Sequence, residues 1–186
     1  MLRTIVKLYD SCVVAITRIT EGWFLGLAAR LIFASTLYMF FINSALTKLG
    51  EGAFGFLNPS AGAYAQIVPA VAEQFNYNVT QIPLLPYGLL VLVGTWAEFI
   101  LPTLLVLGLF TRLAAAGMIC FIAVMTYVDI VFHGVGAKTI GSFFDKVQDS
   151  PIVDQRLLWL FLLLYLMVKG AGTVSIDRLL RRLTGF

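Results

Sequence analysis

The chain has 186 residues, of which 60% are hydrophobic and 12% charged, with a net charge of +3 and a mean hydropathy of +0.91. A soluble domain does not need this much apolar surface in its core, and its exterior could not tolerate the excess. The composition therefore excludes a soluble domain and favours an integral membrane protein. The small positive charge gives no reason to expect a nucleic-acid partner, and the length accommodates one domain with a handful of membrane helices.

The first predicted element, residues 1–22, is an amphipathic helix that lies on the membrane surface. Its apolar residues recur at spacings of three and four: Ile5, Leu8, Tyr9, Cys12, Val13, Ile16 and Ile19. Charged residues fill the other side: Arg3, Lys7, Asp10, Arg18 and Glu21. Since these charges interrupt the segment and no small-residue cleavage site follows it, a signal peptide is not expected.

Four apolar runs follow that are each predicted to span the membrane, because a span needs about 20 apolar residues. They are Trp23–Thr47, Tyr87–Phe110, Leu113–Phe132 and Leu157–Val168, of which the last is long enough when 153–172 is counted. The fold class is therefore predicted to be all-α, a bundle of four transmembrane helices with an N-terminal surface helix. The predicted division is an interfacial helix at 1–22, a membrane domain at 23–180 and a basic cytoplasmic tail at 181–186.

Prolines and glycines shape the connections between these spans. The segment 49–86 contains several prolines and cannot be one long helix, and a short helix within 61–75 is predicted to break at Pro69. The connection from Gly108 to Arg112 is short, so spans two and three are predicted to form an antiparallel hairpin. Gly170 follows span four and is interpreted as part of a helix C-cap.

The distribution of Lys and Arg predicts the orientation of the bundle. Eight of the 13 lie before span one, between spans two and three, or after span four: Arg3, Lys7, Arg18, Arg112, Lys169, Arg178, Arg181 and Arg182. The other side carries four: Lys48, Lys138, Lys146 and Arg156. Because cytoplasmic loops carry the excess, both termini are predicted to be cytoplasmic, in a bacterial inner membrane. The basic C-terminus suits an anionic leaflet.

Glu98 lies near the middle of span two and is the main candidate for a functional site. A charge at the centre of a spanning helix costs at least about 2.5–3.5 kcal/mol, so it needs a partner or a wet cavity. Arg30, inside span one, is the predicted partner. The pair is interpreted either as part of a functional site or as an ion pair that only fixes helix packing.

A second polar group is predicted near the outer ends of the spans. Asp129 and His133 are four residues apart on span three, and Lys48 ends span one at a similar depth, where its side chain is expected to extend to the interface. With Arg30 and Glu98 these residues would form one polar track. Glu98 and Arg30 are predicted to line a small-molecule pocket that opens toward the outer face near Asp129 and His133. The other predicted lining residues are Phe41, Ser44, Gly94 and Trp96.

Metal and dithiol sites are not predicted. His133 is the sole histidine, and Cys12 and Cys120 are far apart with no Cys-x-x-Cys motif. These residues suit neither a closed zinc site nor a dithiol oxidoreductase. No catalytic residue is assigned, and catalysis by this chain alone is not expected.

Several short motifs, in their order and spacing, resemble the DoxX family of small four-helix inner-membrane proteins. They are Arg30-Leu31, Lys48-Leu49-Gly50, Glu98, the sequence LGLFTR at 107–112, Asp154-Gln155-Arg156 and the sequence KGAGTVSID at 169–177. The resemblance covers roughly residues 23–180. It implies a fold and a membrane redox context, since the family takes its name from a membrane subunit associated with thiosulfate:quinone oxidoreductase and other members are linked to oxidative-stress systems.

Three classes of function remain open at this stage. The first is a subunit or anchor of a membrane redox system with a quinone as the candidate cofactor, in a slot walled by aromatic residues: Tyr38, Phe40, Phe41, Trp96 and Phe99. The second is a small transporter or proton path that uses Glu98 and Asp129. The third is a non-catalytic assembly or scaffold protein. The lipid bilayer and either a partner subunit or further copies of the chain are the expected partners.

Overall fold

The computed structural model describes residues 2–185, and within that range it is helical, with no strand. Four helices are long and apolar enough to cross a membrane: Phe24–Thr47, Leu84–Leu107, Thr111–Val131 and Pro151–Lys169. They are called spans one to four below. The prediction of an all-α protein with four spans is confirmed, and the observed bounds differ from the predicted ones by a few residues.

Shorter helices complete the described chain. The N-terminal helix is Leu2–Thr20 and the C-terminal helix is Ile176–Thr184. Three π-helical turns lie within spans: Ala34–Tyr38 in span one, Leu84–Gly88 at the start of span two and Pro151–Gln155 at the start of span four. Between the spans lie the short helices Ala61–Ile67, Pro69–Gln74, Val79–Gln81 and Ala137–Ile140. The predicted helix within 61–75 does break at Pro69. The predicted domain boundary at 180/181 falls inside the C-terminal helix.

The main core lies among the spans and is made of large apolar side chains. Its fully or nearly fully buried members include Phe33, Leu37, Phe41, Leu105, Met118, Ile122, Leu163 and Leu166. A second cluster docks the segment 61–82 against span two and comprises Ala63, Tyr64, Ala72, Ile82 and Val91. The N-terminal helix, in contrast, buries none of its residues against the bundle.

The bundle has two ends that differ in their connections. The loop end carries the segments 48–83 and 132–150. The terminal end carries the turn between spans two and three together with the chain before span one and after span four. Gly108 and Phe110 adopt positive φ values of 68° and 46° in that turn, which closes the tight hairpin predicted for these spans. Gly170, with φ +80°, ends span four as predicted.

The terminal end is tied together by contacts from the chain after span four. Asp177 accepts hydrogen bonds from the backbone N–H groups of Phe110 and Thr111, at 2.7 and 3.0 Å. A carboxylate at the start of a helix satisfies free N–H groups and complements the helix dipole, so Asp177 caps span three from a distant part of the sequence. Gly26 lets span one approach this region closely, because a Cβ there would lie 2.6 Å from the Ala171 carbonyl.

Candidate functional site

Lys48 and Glu98 form an ion pair between spans one and two. The Lys48 ammonium lies 3.0 Å from Oε1 and 2.8 Å from Oε2 of Glu98, and the two side chains are 3% and 5% exposed. Lys48 also donates to the Ser44 hydroxyl at 2.7 Å. Ser44 Oγ in turn lies 3.4 Å from Glu98 Oε1. The buried carboxylate predicted at Glu98 therefore has a cation and a hydroxyl as partners.

The direction of the Lys48 side chain differs from the expectation that it extends outward to the interface. It turns back over Ser44, one helical turn earlier, and reaches into the bundle. Side chains on a helix lean toward its N-terminus. In span one that direction runs from the loop end to the terminal end, so a lysine at the last turn is aimed at the interior.

Arg30 does not pair with Glu98, which corrects the predicted ion pair. Its guanidinium donates to three backbone carbonyls at the terminal end, those of Leu105 at 3.1 Å, Val106 at 2.6 Å and Val174 at 2.5 Å. The same lean toward the N-terminus carries Arg30 away from Glu98, which lies seven residues, or about 10 Å, before Leu105 along span two. Arg30 thus joins span one, the end of span two and the chain after span four.

A second ion pair joins spans three and four. Arg156 Nη2 lies 2.5 Å from Asp129 Oδ2, and Arg156 Nη1 lies 2.6 Å from the Thr126 hydroxyl. The Arg156 Nε is buried and has no hydrogen-bond acceptor in the described part of the chain. Arg156 was absent from the predicted site. Its position at the start of span four, opposite the end of span three, was the signal that could have identified it.

The predicted group of Lys48, Asp129 and His133 is therefore divided between different partners. Lys48 pairs with Glu98, and Asp129 pairs with Arg156. His133 is exposed, and its Nε2 lies 3.5 Å from the Gln66 carbonyl oxygen. These groups nevertheless border the same space between the spans.

That space is a cavity of about 470 Å³. Its polar lining consists of Ser44, Lys48, Gln66, Glu98, Asp129, His133 and Arg156. Its apolar walls come from spans one, two and three and from the helix Ala61–Ile67, and include Phe40, Ile67, Val93, Gly94, Leu101, Cys120, Phe121, Val124 and Met125. Drug-sized ligands occupy cavities of about 300–1,000 Å³ with mostly apolar walls and a few placed polar groups, and this cavity has that character.

The structure places six of the nine predicted site residues at this cavity and three elsewhere. The six are Ser44, Lys48, Gly94, Glu98, Asp129 and His133. Arg30 belongs to the terminal end, as described above. Phe41 is fully buried in the main core, where its ring meets Phe121 and Trp159.

Trp96 is also not a lining residue. Its indole N–H donates to the Phe56 carbonyl at 3.0 Å, and its ring packs edge-on against Phe56. Side chains two positions apart on a helix are separated by about 200°. Trp96, two positions before Glu98, is therefore directed away from the face that carries Glu98. Proximity in sequence was misleading here because helical neighbours at i and i+2 do not share a face.

The arrangement brings apolar walls and charge-paired polar groups into one compartment. Each carboxylate in the wall is matched by a cation, so the compartment carries little net charge. Buried charges paired in this way tolerate an apolar surrounding that isolated charges do not. Arg156 also contributes its guanidinium group to the wall, although its Nε is itself buried without an acceptor in the described part of the chain.

The sequence matches a known protein family. The DoxX family model matches residues 25–134, which is more than half of the chain. No curated protein matches the sequence, and no solved structure does. The family match covers spans one to three and therefore both partners of the Lys48–Glu98 pair.

Proposed function

The chain belongs to the DoxX family, and we propose that it is a subunit of a membrane redox system that binds a quinone-type molecule in the cavity between its spans. The protein itself is a multi-pass membrane protein with four apolar helices. The proposal concerns what the cavity holds. It also includes a bacterial inner-membrane location, a partner subunit and cytoplasmic termini, of which the last is supported by the distribution of Lys and Arg.

The observation that carries the proposal is the composition of the cavity wall. A quinone is a flat apolar ring with carbonyl oxygens that accept hydrogen bonds. The wall offers aromatic and aliphatic surface from Phe40, Phe121 and Val124, together with the guanidinium group of Arg156. A ligand with an apolar body and acceptor oxygens would bury the first and accept hydrogen bonds from the second.

The two ion pairs would orient such a ligand and place carboxylates near its oxygen atoms. Reduction of a quinone consumes two electrons and two protons, and the electrons would come from the partner subunit. Asp129, 26% exposed at its side chain, is paired with Arg156, whereas the more deeply buried Glu98 is held by Lys48 and Ser44. General acid–base groups must lie within hydrogen-bond reach of the atom that takes the proton. The cavity brings both carboxylates to the same compartment.

A retention experiment tests the proposal with matched variants. The full chain would be purified in mild detergent, and copurifying lipids and quinones would be identified by mass spectrometry. Val124→Trp would fill the cavity. Ala123→Trp adds the same ring at the neighbouring exposed residue, which does not line the cavity. We expect a quinone in the parent and in Ala123→Trp, and its loss from Val124→Trp.

Other results would point to a different role. A preparation without quinone, which also fails to bind an added short-chain benzoquinone, would contradict the quinone proposal. Partner proteins copurifying in that case would leave the assembly or scaffold function. A quinone retained equally by Val124→Trp and Ala123→Trp would place its binding outside this cavity.

A further inference from the structure

A second pocket, of about 160 Å³, lies at the terminal end, apart from the cavity between the spans. It is lined by residues 170–173, by Asp177 and by four cationic residues. These are Arg112 at the start of span three, Lys169 at the end of span four, and Arg178 and Arg181 on the C-terminal helix. It is called the terminal pocket below. The proposed redox function makes no use of it.

The cations of the terminal pocket form no ion pair with any of the residues that the structure describes. Within residues 2–185 the ion pairs are those of Lys48 and Arg156, so none of the four is paired there. The one acidic residue in the wall, Asp177, directs its two oxygens to the N–H groups of Phe110 and Thr111. The pocket therefore has an excess of positive charge that the described protein does not neutralise.

The backbone of the wall adds further donors. The N–H of Gly170 bonds to Leu166 and that of Thr173 bonds to Gly22, whereas the N–H groups of Ala171 and Gly172 have no acceptor among residues 2–185. Arg112 lies close to this turn, because a Cβ added at Gly170 would be 3.6 Å from its Nε. Arginine and lysine side chains beside free backbone N–H groups are the usual ligands of phosphate oxygens.

The position of the terminal pocket suits a ligand at the membrane surface. Lys169 ends a membrane span, and the C-terminal helix carries exposed leucines at 179, 180 and 183 beside its arginines. A short helix with an apolar and a basic face lies in the headgroup region of a bilayer. The volume is sufficient for a headgroup phosphate but far too small for acyl chains, which would remain in the surrounding lipid.

We propose that the terminal pocket binds a phosphate group, carried by an anionic phospholipid, through Arg112, Lys169, Arg178 and Arg181. The same chemistry would serve a soluble phosphate. Charge and location favour the lipid, since anionic lipids are enriched in the cytoplasmic leaflet, the side on which the distribution of Lys and Arg predicts the terminal end to lie. The site is independent of the cavity between the spans, so loss of one leaves the other intact.

Native mass spectrometry of the full chain tests this with matched variants. Phosphatidylglycerol and the zwitterionic phosphatidylcholine would be titrated into the detergent-solubilised protein. Arg178→Gln and Arg181→Gln each remove one pocket cation. Arg182→Gln removes the same charge from the next position of the same helix, outside the pocket wall. We expect about fivefold weaker phosphatidylglycerol binding for each pocket variant, since one cation near the surface contributes about 1 kcal/mol.

The double variant, Arg178→Gln with Arg181→Gln, should weaken binding by more than tenfold. Both arginines are exposed, so these variants are expected to fold, and melting temperatures equal to that of Arg182→Gln would verify this. Equal weakening by Arg182→Gln, or no weakening by the double variant, would overturn the site.

Inorganic phosphate distinguishes the two sources of the ligand. Displacement of phosphatidylglycerol by millimolar phosphate, with the same dependence on Arg178 and Arg181, would retain the site but assign it to a soluble phosphate. A preference for phosphatidylglycerol over phosphatidylcholine that phosphate does not reverse supports the lipid. Equal binding of the two lipids, without phosphate binding, contradicts the proposal.

Discussion

The ammonium of Lys48 lies 2.8 Å from Glu98 Oε2, although the two residues are 50 positions apart in the sequence. Both side chains are at least nine-tenths buried. A buried ion pair is weak support for stability in itself, because desolvation offsets most of the attraction. Removing one partner, however, leaves a bare charge in an apolar bundle.

A double-mutant cycle should therefore show strong coupling between Lys48 and Glu98. Lys48→Met and Glu98→Gln should each destabilise the bundle by about 3–5 kcal/mol, or force the remaining group to change its protonation. The double variant should lose clearly less than the sum of the two. Unfolding in a graded mixture of detergents, followed by helical circular dichroism, provides the free energies.

The matched control for this cycle uses Arg30. Since Arg30 and Glu98 share no contact in the structure, Arg30→Gln and Glu98→Gln should be additive within about 0.5 kcal/mol. Coupling of Arg30 with Glu98 and additivity of Lys48 with Glu98 would reverse the pairing described here.

The sequence predicted the architecture well because the span pattern depends on local properties. The apolar runs, the prolines of 49–86 and the glycine after span four each determine the conformation of residues close to them in the sequence. Five of the seven polar residues at the cavity were also identified, because charges within apolar runs are conspicuous, whereas Gln66 and Arg156 were missed. Their pairing was not identified, since it depends on where a long side chain points and on which helices are neighbours.

Arg30 illustrates the limit most clearly. Its depth in span one suggested a carboxylate partner, but the structure satisfies it with three backbone carbonyls. Two of these, Leu105 and Val106, lie in the last turn of span two, where carbonyls lack the usual i+4 donor, although the Leu105 carbonyl also accepts from the Gly108 N–H at 3.1 Å. The third, Val174, belongs to a segment 144 residues away. Sequence spacing carries no information about such a contact.

Arg30→Lys should therefore destabilise the terminal end even though it conserves charge. An ammonium cannot reproduce the planar set of donors that contacts Leu105, Val106 and Val174, and each buried carbonyl left unsatisfied costs about 1–3 kcal/mol. Arg112→Lys, at an exposed arginine of the same end, serves as the control and should change the melting temperature little. Equal melting temperatures for the two variants would contradict the role given to Arg30.

Gly26→Ala should prevent the close approach of span one to the chain after span four. The added Cβ would lie 2.6 Å from both the carbon and the oxygen of the Ala171 carbonyl, and backbone atoms cannot move aside as a flexible side chain can. Gly136→Ala is the matched control, because nothing lies within 4 Å of the position its Cβ would take. The yield of monodisperse protein in detergent should fall for Gly26→Ala and stay unchanged for Gly136→Ala.

Cys120 offers a direct report on occupancy of the cavity. Its thiol is exposed and lines the cavity, so a membrane-permeant maleimide should alkylate it in a Cys12→Ser background. A short-chain benzoquinone bound in the cavity should slow this reaction several-fold, provided that every ring position is substituted so that the thiol does not add to it. Val124→Trp should abolish the protection, while Ala123→Trp should preserve it. Alkylation at the same rate with and without benzoquinone would argue against a ligand beside Cys120.

The orientation of the bundle decides which leaflet the terminal pocket meets, and cysteine labelling can establish it. In a background with Cys12→Ser and Cys120→Ser, Glu73→Cys and Ser142→Cys place thiols at exposed positions of the loop end, and Thr184→Cys places one on the C-terminal helix. We predict that an impermeant maleimide labels the first two in intact cells and the third only after permeabilisation. The physical reason is the excess of Lys and Arg at the terminal end, which favours the cytoplasmic side. The opposite pattern would invert the topology, and it would also remove the cytoplasmic leaflet as the source of the anionic lipid proposed for the terminal pocket.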